Sequence, residues 1–335
     1  MFRSISPVLA VLFLFCVLIY PQDTYSNDTD VAGKTPGGNV QWKVISDSQF
    51  ALTSGGKTVW QFNADPKDAG EPYFHPLCVA GSPPLTMPKP ADHPWHLAHW
   101  FSWKYINGVN YWETDKSGKS AGETYWDISK KELRPDGSAA VTLNIGYRPR
   151  GTQNEPVLTE KREIDISAPD SDGTYSLDWT QTFTAQSEVK LDRTPITGEP
   201  NGVSWGGYAG LGVRFSNALK EVKTVYAGTP TIKKTGKEGT DSFCYVYHSP
   251  AMEQNGILDG KEYGIAIFPD PKMPRSGDWY YIDAKDFIYF SPVFLLQGHY
   301  TMQKGETLPL RYRVVVHKSR WNAAELEKIT KTIHW

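Results

Sequence analysis

The stretch "TYSLDWTQTFTA" alternates between apolar and polar residues. Tyr175, Leu177, Trp179 and Phe183 fall on one side; Ser176, Asp178, Thr180, Thr182 and Thr184 fall on the other. Successive side chains of a strand point to opposite faces, so this pattern specifies a half-buried strand. The same period recurs in "VTLNIGY" (Val141, Leu143, Ile145, Tyr147), in "REIDIS" (Ile164, Ile166) and in "LPLRYRVVVH" (Leu308, Leu310, Tyr312, Val314, Val316). "YGIAIF" is apolar throughout and reads as a strand covered on both faces. Turn signals such as "SGGK", "APDSDGT", "KKTGKEGT" and "QKGE" punctuate these runs, and "RPDGS" predicts a hairpin. One helix is expected, at the C-terminus, with Asn322 as its cap and Glu325 completing the capping box. The predicted class is all-β: a large antiparallel sandwich with one C-terminal helix.

The first residues are read differently. "MFRSISPVLAVLFLFCVLIY" places Arg3 before an apolar run, and a polar stretch follows. Residues 1–26 are therefore expected to be a secretory signal and residues 27–335 a single catalytic β-sandwich domain. The apolar run falls short of the roughly 20 residues of a bilayer span, with an uncleaved anchor as the alternative. The expected location is periplasmic or secreted, with no stable membrane insertion after cleavage. Net charge is −2 with no basic block, so nucleic acid is not an expected partner. Cys78 and Cys244 remain beyond the leader, either as one disulfide or as two buried thiols.

Function is sought in "ADHPWHLAHW", Ala91–Trp100, which carries His93, His96 and His99 behind Asp92. Pro83, Pro84, Pro88, Pro90 and Pro94 make the region a long loop, and long loops in compact β domains commonly carry function. Aromatic residues make up 13% of the chain, including twelve Trp and eighteen Tyr. Flat rings with a polar handle suit both sugar faces and large β cores.

Four chemistries fit the loop. The first is proton transfer on an acidic sugar: β-elimination from a uronate needs a base, an acid and a holder for the carboxylate. His93 and His96 are the proton-transfer candidates, with Asp92 orienting one of them and His75 assisting. Arg214, in "GLGVRF", would hold the acidic group, and His99, Trp100 and Trp103 would bind substrate. The second is glycoside hydrolysis, which needs two converging carboxyls from Asp92, Glu113, Glu123 and Asp127. The third is a metal site. Histidines at i, i+3 and i+6 drift by about 60° per step on a helix, so two of them with His75 or Asp92 would form the set. The fourth is a sugar-binding module in which Trp100, Trp103, Trp112 and Trp126 stack on pyranose rings. The leading reading is a dehydratase or lyase acting on uronate-containing oligosaccharides. It requires no cofactor, and a divalent metal is its alternative. His248, His299 and His317 are read as structural or surface residues.

"PYFHPL" and "ADHPWHLAHWFSWKYINGVNYWE" resemble a bacterial family labelled "methane oxygenase PmoA-like", whose members show Tyr-x-His-Pro, then Asp-His-Pro-His-His, then Trp and Asn-Gly-x-x-Phe-Trp. "GGYAGLGVRF", "GIAIFPDP", "FSPVFL" and "LPLRYRVVVH" extend the resemblance over Tyr73 to His317. His75, Asp92, His93 and His96 match the pattern. Trp95 stands where the family has the second histidine of its block, and His99 is an addition. A true methane monooxygenase subunit spans the membrane several times, and this chain lacks such runs. The resemblance implies an exported β protein of carbohydrate-using bacteria, associated with polysaccharide breakdown.

Overall fold

The computed structural model describes residues 40–68, 70–235, 242–284 and 286–335. Residues 1–39, which include the expected signal segment, and most of the "KKTGKEGT" stretch lie outside the described residues. The described residues form one compact unit, a β-sandwich of two large sheets with a small third sheet at its side. The ten-stranded sheet runs, in spatial order, Val40–Ser46, Gln49–Ser54, Lys57–Asn63, Tyr73–Leu77, His99–Ser102, Gly210–Arg214, Phe287–Pro292, Trp279–Ala284, Ser242–Tyr247 and Thr231–Thr235. The eight-stranded sheet runs Lys220–Tyr226, Met252–Leu258, Lys261–Pro269, Thr307–Lys318, Tyr175–Ala185, Leu158–Ile166, Ala139–Pro149 and Gly122–Leu133. All pairings between neighbouring strands of the two large sheets are antiparallel.

The alternation in Tyr175–Ala185 is realised along its whole length. Every second residue is buried, including Gln181 between Trp179 and Phe183. "RPDGS" makes the predicted hairpin, closed by Arg134 and Ser138 with Gly137 at φ 87°. The strand Lys261–Pro269 is buried on both sides for an identifiable reason. Tyr263, Ile265 and Ile267 face the inter-sheet core, while Ala266 and Phe268 pack under Leu326 of the helix Ala323–Thr332. Asn322 and Glu325 form the capping box at its start. Cys78 and Cys244 are both buried, and no disulfide joins them.

The ten-stranded sheet packs against the eight-stranded sheet on one side and is covered by loops on the other. Phe74, Phe101, Val213, Phe290 and Val246 point into the core against the eight-stranded sheet. Their neighbours Tyr73, Trp100, Tyr289, Tyr280 and Tyr245 point to the opposite side and form a second aromatic cluster. Cross-strand pairs keep the two sets apart: Tyr73 opposes Trp100, Gly212 opposes Trp100, and Ile282 opposes Tyr289.

The inter-sheet core also holds ionised groups. Arg162 grips Glu160 through two hydrogen bonds of 2.6 and 3.0 Å, with both side chains fully buried. Gln181 and Tyr147 donate to the same carboxylate, and the guanidinium lies 5.5 Å from the Trp179 ring.

Buried titratable groups set an expected pH optimum for stability. Burial pulls His75, His99 and His317 from 6.5 to about 4, and takes His96 well below 6.5. Burial pushes Glu71 from 4.5 up to about 8 and Glu253 to about 7. From pH 4 to 6.5 the unfolded chain binds histidine protons that the fold refuses, so stability rises with pH. From pH 4.5 to 8 the fold keeps glutamate protons that the unfolded chain releases, so stability falls with pH. Four histidines outweigh the two glutamates and Asp278, which burial also raises, below 6.5; above it the raised carboxyls prevail. Urea midpoints measured across this range should peak near pH 6.5; a midpoint still climbing at pH 8 contradicts the assignment.

Candidate functional site

The loop leading to the strand His99–Ser102 is tied down by its backbone. Lys89 N–H donates to His96 O, Met87 N–H donates to Arg214 O, and Arg214 N–H donates to Ala98 O at 2.7 Å. His93 N–H donates to Pro90 O and His96 N–H donates to His93 O, so the segment forms a tight turn. His93 and His96 emerge together, with ring centroids 4.7 Å apart. Ala98 then adopts φ 74°, uncommon for a residue with a Cβ, and the chain enters strand alternation at His99.

This change of period overturns three expected substrate contacts. His99 points into the core, fully buried, with Nδ1 3.0 Å from Gly212 O and its ring against Trp179. Trp103 is likewise in the core, edge-on to Phe101 and Phe183. Trp100 faces the correct side but is buried beneath His96, Trp112 and Tyr289. It supports the site from below and does not line it.

His93 is held by Asp92, with Nδ1 2.8 Å from Oδ2. A carboxylate can only accept, so Nδ1 carries a proton toward Asp92 and Nε2 is the ring nitrogen left to exchange one. Burial works against ionisation of Asp92, but the hydrogen bond from His93 and the charge of Arg214 outweigh it and hold the carboxyl below its usual range. Arg214 is 3.1 Å from Asp92 Oδ2 and lies 3.8 Å from the Phe287 ring centroid. With 0% side-chain exposure it is not available to a substrate carboxylate. The residue expected to hold an acidic group instead anchors the carboxylate that orients His93. His75 lies in the strand Tyr73–Leu77, with Nδ1 3.1 Å from Thr86 Oγ1, and does not line the cleft.

The cleft itself has a volume of about 400 Å³. His93, His96 and Trp95 form one wall. Phe287, Tyr289, Tyr280 and Phe243, all from the face of the ten-stranded sheet turned away from the inter-sheet core, form the floor. Trp112, Glu113, Tyr208 and Trp205 form the other side, with Trp205 51% exposed. His96 stacks on Tyr289 at 5.3 Å, and burial keeps it neutral, with the Arg214 charge acting in the same direction. Its Nδ1 is buried with no partner among the described residues.

Opposite the histidines, Glu113 accepts hydrogen bonds from Lys104, Tyr208 and Asn110. Burial opposes ionisation of Glu113, but the Lys104 charge and these donors hold its carboxyl below the usual range. Of the other acids considered for hydrolysis, Glu123 pairs with Arg148 and Arg150, and Asp127 bonds Asn144 on the eight-stranded sheet. Among the described residues no group of three or more His, Cys, Asp or Glu is placed to hold a metal ion, and no helix is long and apolar enough to cross a membrane.

Sequence reasoning missed Tyr208, Trp205, Tyr280, Phe287 and Tyr289. The available signal was "DFIYFSP", apolar at both odd and even positions, which marks a strand with demands on both faces.

No curated protein matches the chain. Among solved structures it is similar to the galactosidase domain of an alpha-galactosidase-sucrose kinase, AgaSK, at 11% identity and a TM-score of 0.40, covering 81% of this chain and 40% of that one. A Klebsiella pneumoniae protein assigned as an aldose 1-epimerase matches at 8% identity and a TM-score of 0.46, covering 88% of this chain and 86% of that one. The GH36 alpha-galactosidase AgaB of Geobacillus stearothermophilus matches at 9% identity and a TM-score of 0.41, covering 86% and 42%. The chain thus spans well under half the length of the two galactosidase structures. Residues 49–331 match one family model, and the chain belongs to that family, the family of unknown function DUF6807.

Proposed function

We propose that the chain is a carbohydrate-processing enzyme whose cleft carries out proton transfer, with elimination of the dehydratase or lyase type as the reaction. The observation that carries this reading is the Arg214–Asp92–His93 line, which ends in a free imidazole Nε2 beside an aromatic cleft. A carboxylate behind an imidazole fixes its tautomer and stabilises the imidazolium formed when it takes a proton. Tyr and Trp rings supply faces for sugar C–H groups and polar edges for hydroxyls. Hydrolysis is less well supported, because Glu113 is the one acid lining the cleft among the described residues and Asp92 already serves His93. An exported location belongs to the same proposal and rests on the leader-like first residues.

The test is ultraviolet absorbance of the conjugated double bond while purified protein meets a panel of neutral and acidic oligosaccharides, with and without a chelator. A rise establishes elimination, and its loss with chelator brings a metal into the mechanism. New reducing ends without a rise mean hydrolysis. Binding without turnover means a sugar-binding protein.

A further inference from the structure

The charge arrangement around the cleft narrows the ligand, given the carbohydrate reading above. Two cations lie close to it, and each is matched by a carboxylate of the chain. Lys104 pairs with Glu113, and Arg214 pairs with Asp92. No Lys or Arg lines the cleft among the described residues. The side chains of Lys104 and Arg214 are 4% and 0% exposed, so neither is presented to a ligand.

The strongest polar groups that do face the cleft are hydrogen-bond acceptors. His93 presents Nε2, because Nδ1–H is committed to Asp92. Glu113 presents a carboxylate, and Tyr208 directs its single hydroxyl proton at that carboxylate, leaving lone pairs for a ligand. A ligand carboxylate here would meet like charge on Glu113 and lose its water without gaining a cation. Sugar hydroxyls, which donate, meet suitable partners.

We propose that the sugar unit bound at His93 is uncharged, and that Glu113 and Asp92 set this specificity by neutralising Lys104 and Arg214. An elimination at such a site starts from the aldehyde of a reducing-end sugar: His93 takes the proton α to it, the C–O bond at the β carbon breaks as the C=C bond forms, and the leaving oxygen departs with that proton as water or alcohol. Acidic units of an oligosaccharide are then confined to positions outside the cleft.

The test is calorimetric titration of the full protein with matched oligomer pairs: glucose against glucuronic acid, galactose against galacturonic acid, and mannose against mannuronic acid. The neutral member of at least one pair should bind, with its acidic counterpart about tenfold or more weaker. Glu113→Gln, which keeps the shape but frees the Lys104 charge, should narrow or reverse that ratio. Circular dichroism of this variant checks that it folds, and Lys104→Met, which leaves Glu113 unmatched, should widen the ratio. Acidic members binding as tightly as neutral ones, or a ratio unmoved in both folded variants, overturns the specificity assignment while leaving the carbohydrate reading intact. If no member of any pair binds, both fail.

Discussion

Replacing His93 with alanine is expected to lower turnover by about 10²–10⁴-fold, the usual contribution of a positioned general base. The fold should survive, because the His93 side chain is 32% exposed and sits in a turn held by backbone hydrogen bonds. Sugar affinity should fall only by about the one hydrogen bond that His93 accepts, roughly tenfold or less, since the aromatic floor and the Glu113 side are untouched. The measurement is kcat and KM on the substrate found by the elimination assay, together with a thermal melt. A variant that melts normally and keeps its turnover would remove His93 from the mechanism. His96→Ala is a poorer probe. His96 is buried against Trp100 and Tyr289, so its removal opens a cavity and costs stability along with any activity.

The largest expected loss of stability comes from Arg162→Met. Both members of the Arg162–Glu160 pair are fully buried. Removing the cation leaves Glu160 in the core with only Gln181 and Tyr147 as neutral donors. Breaking one side of a buried ion pair costs about 3–5 kcal/mol, which urea denaturation will show as a lower midpoint. Replacing both partners, Arg162→Met with Glu160→Leu, removes the orphaned charge and should recover much of the loss. A single variant within about 1 kcal/mol of the parent would show that the pair is not isolated from water.

Sequence patterning revealed the strands and the capped helix because burial on one face of a sheet writes itself directly into alternate residues. The polar centre of the core did not show itself: Glu160, Arg162 and Gln181 occupy inward positions where alternation leads one to expect apolar side chains. In the site, Asp92 beside His93 was readable from adjacency alone. The grouping of His99 with its neighbours was not sound, because a spacing of three continues only while the backbone stays in a turn, and Ala98 ends it. Arg214 was placed near the loop for the wrong purpose, since sequence cannot show that its charge is already matched. The far side of the cleft is assembled from residues near positions 112, 208 and 289, which meet only through pairing of strands distant in the chain.

The ten-stranded sheet uses its two faces for different work, and this affects how such a protein can change. In the strand Phe287–Pro292, Phe287 and Tyr289 look onto the cleft while Ile288 and Phe290 look into the core. The neighbouring strand repeats the division with Tyr280 and Ile282 against Trp279 and Tyr281. Ligand preference and folding are therefore recorded on interleaved tracks of the same segments. Lineages, or directed libraries, can vary the cleft track and its ligand preference while the core track keeps the packing between the two sheets.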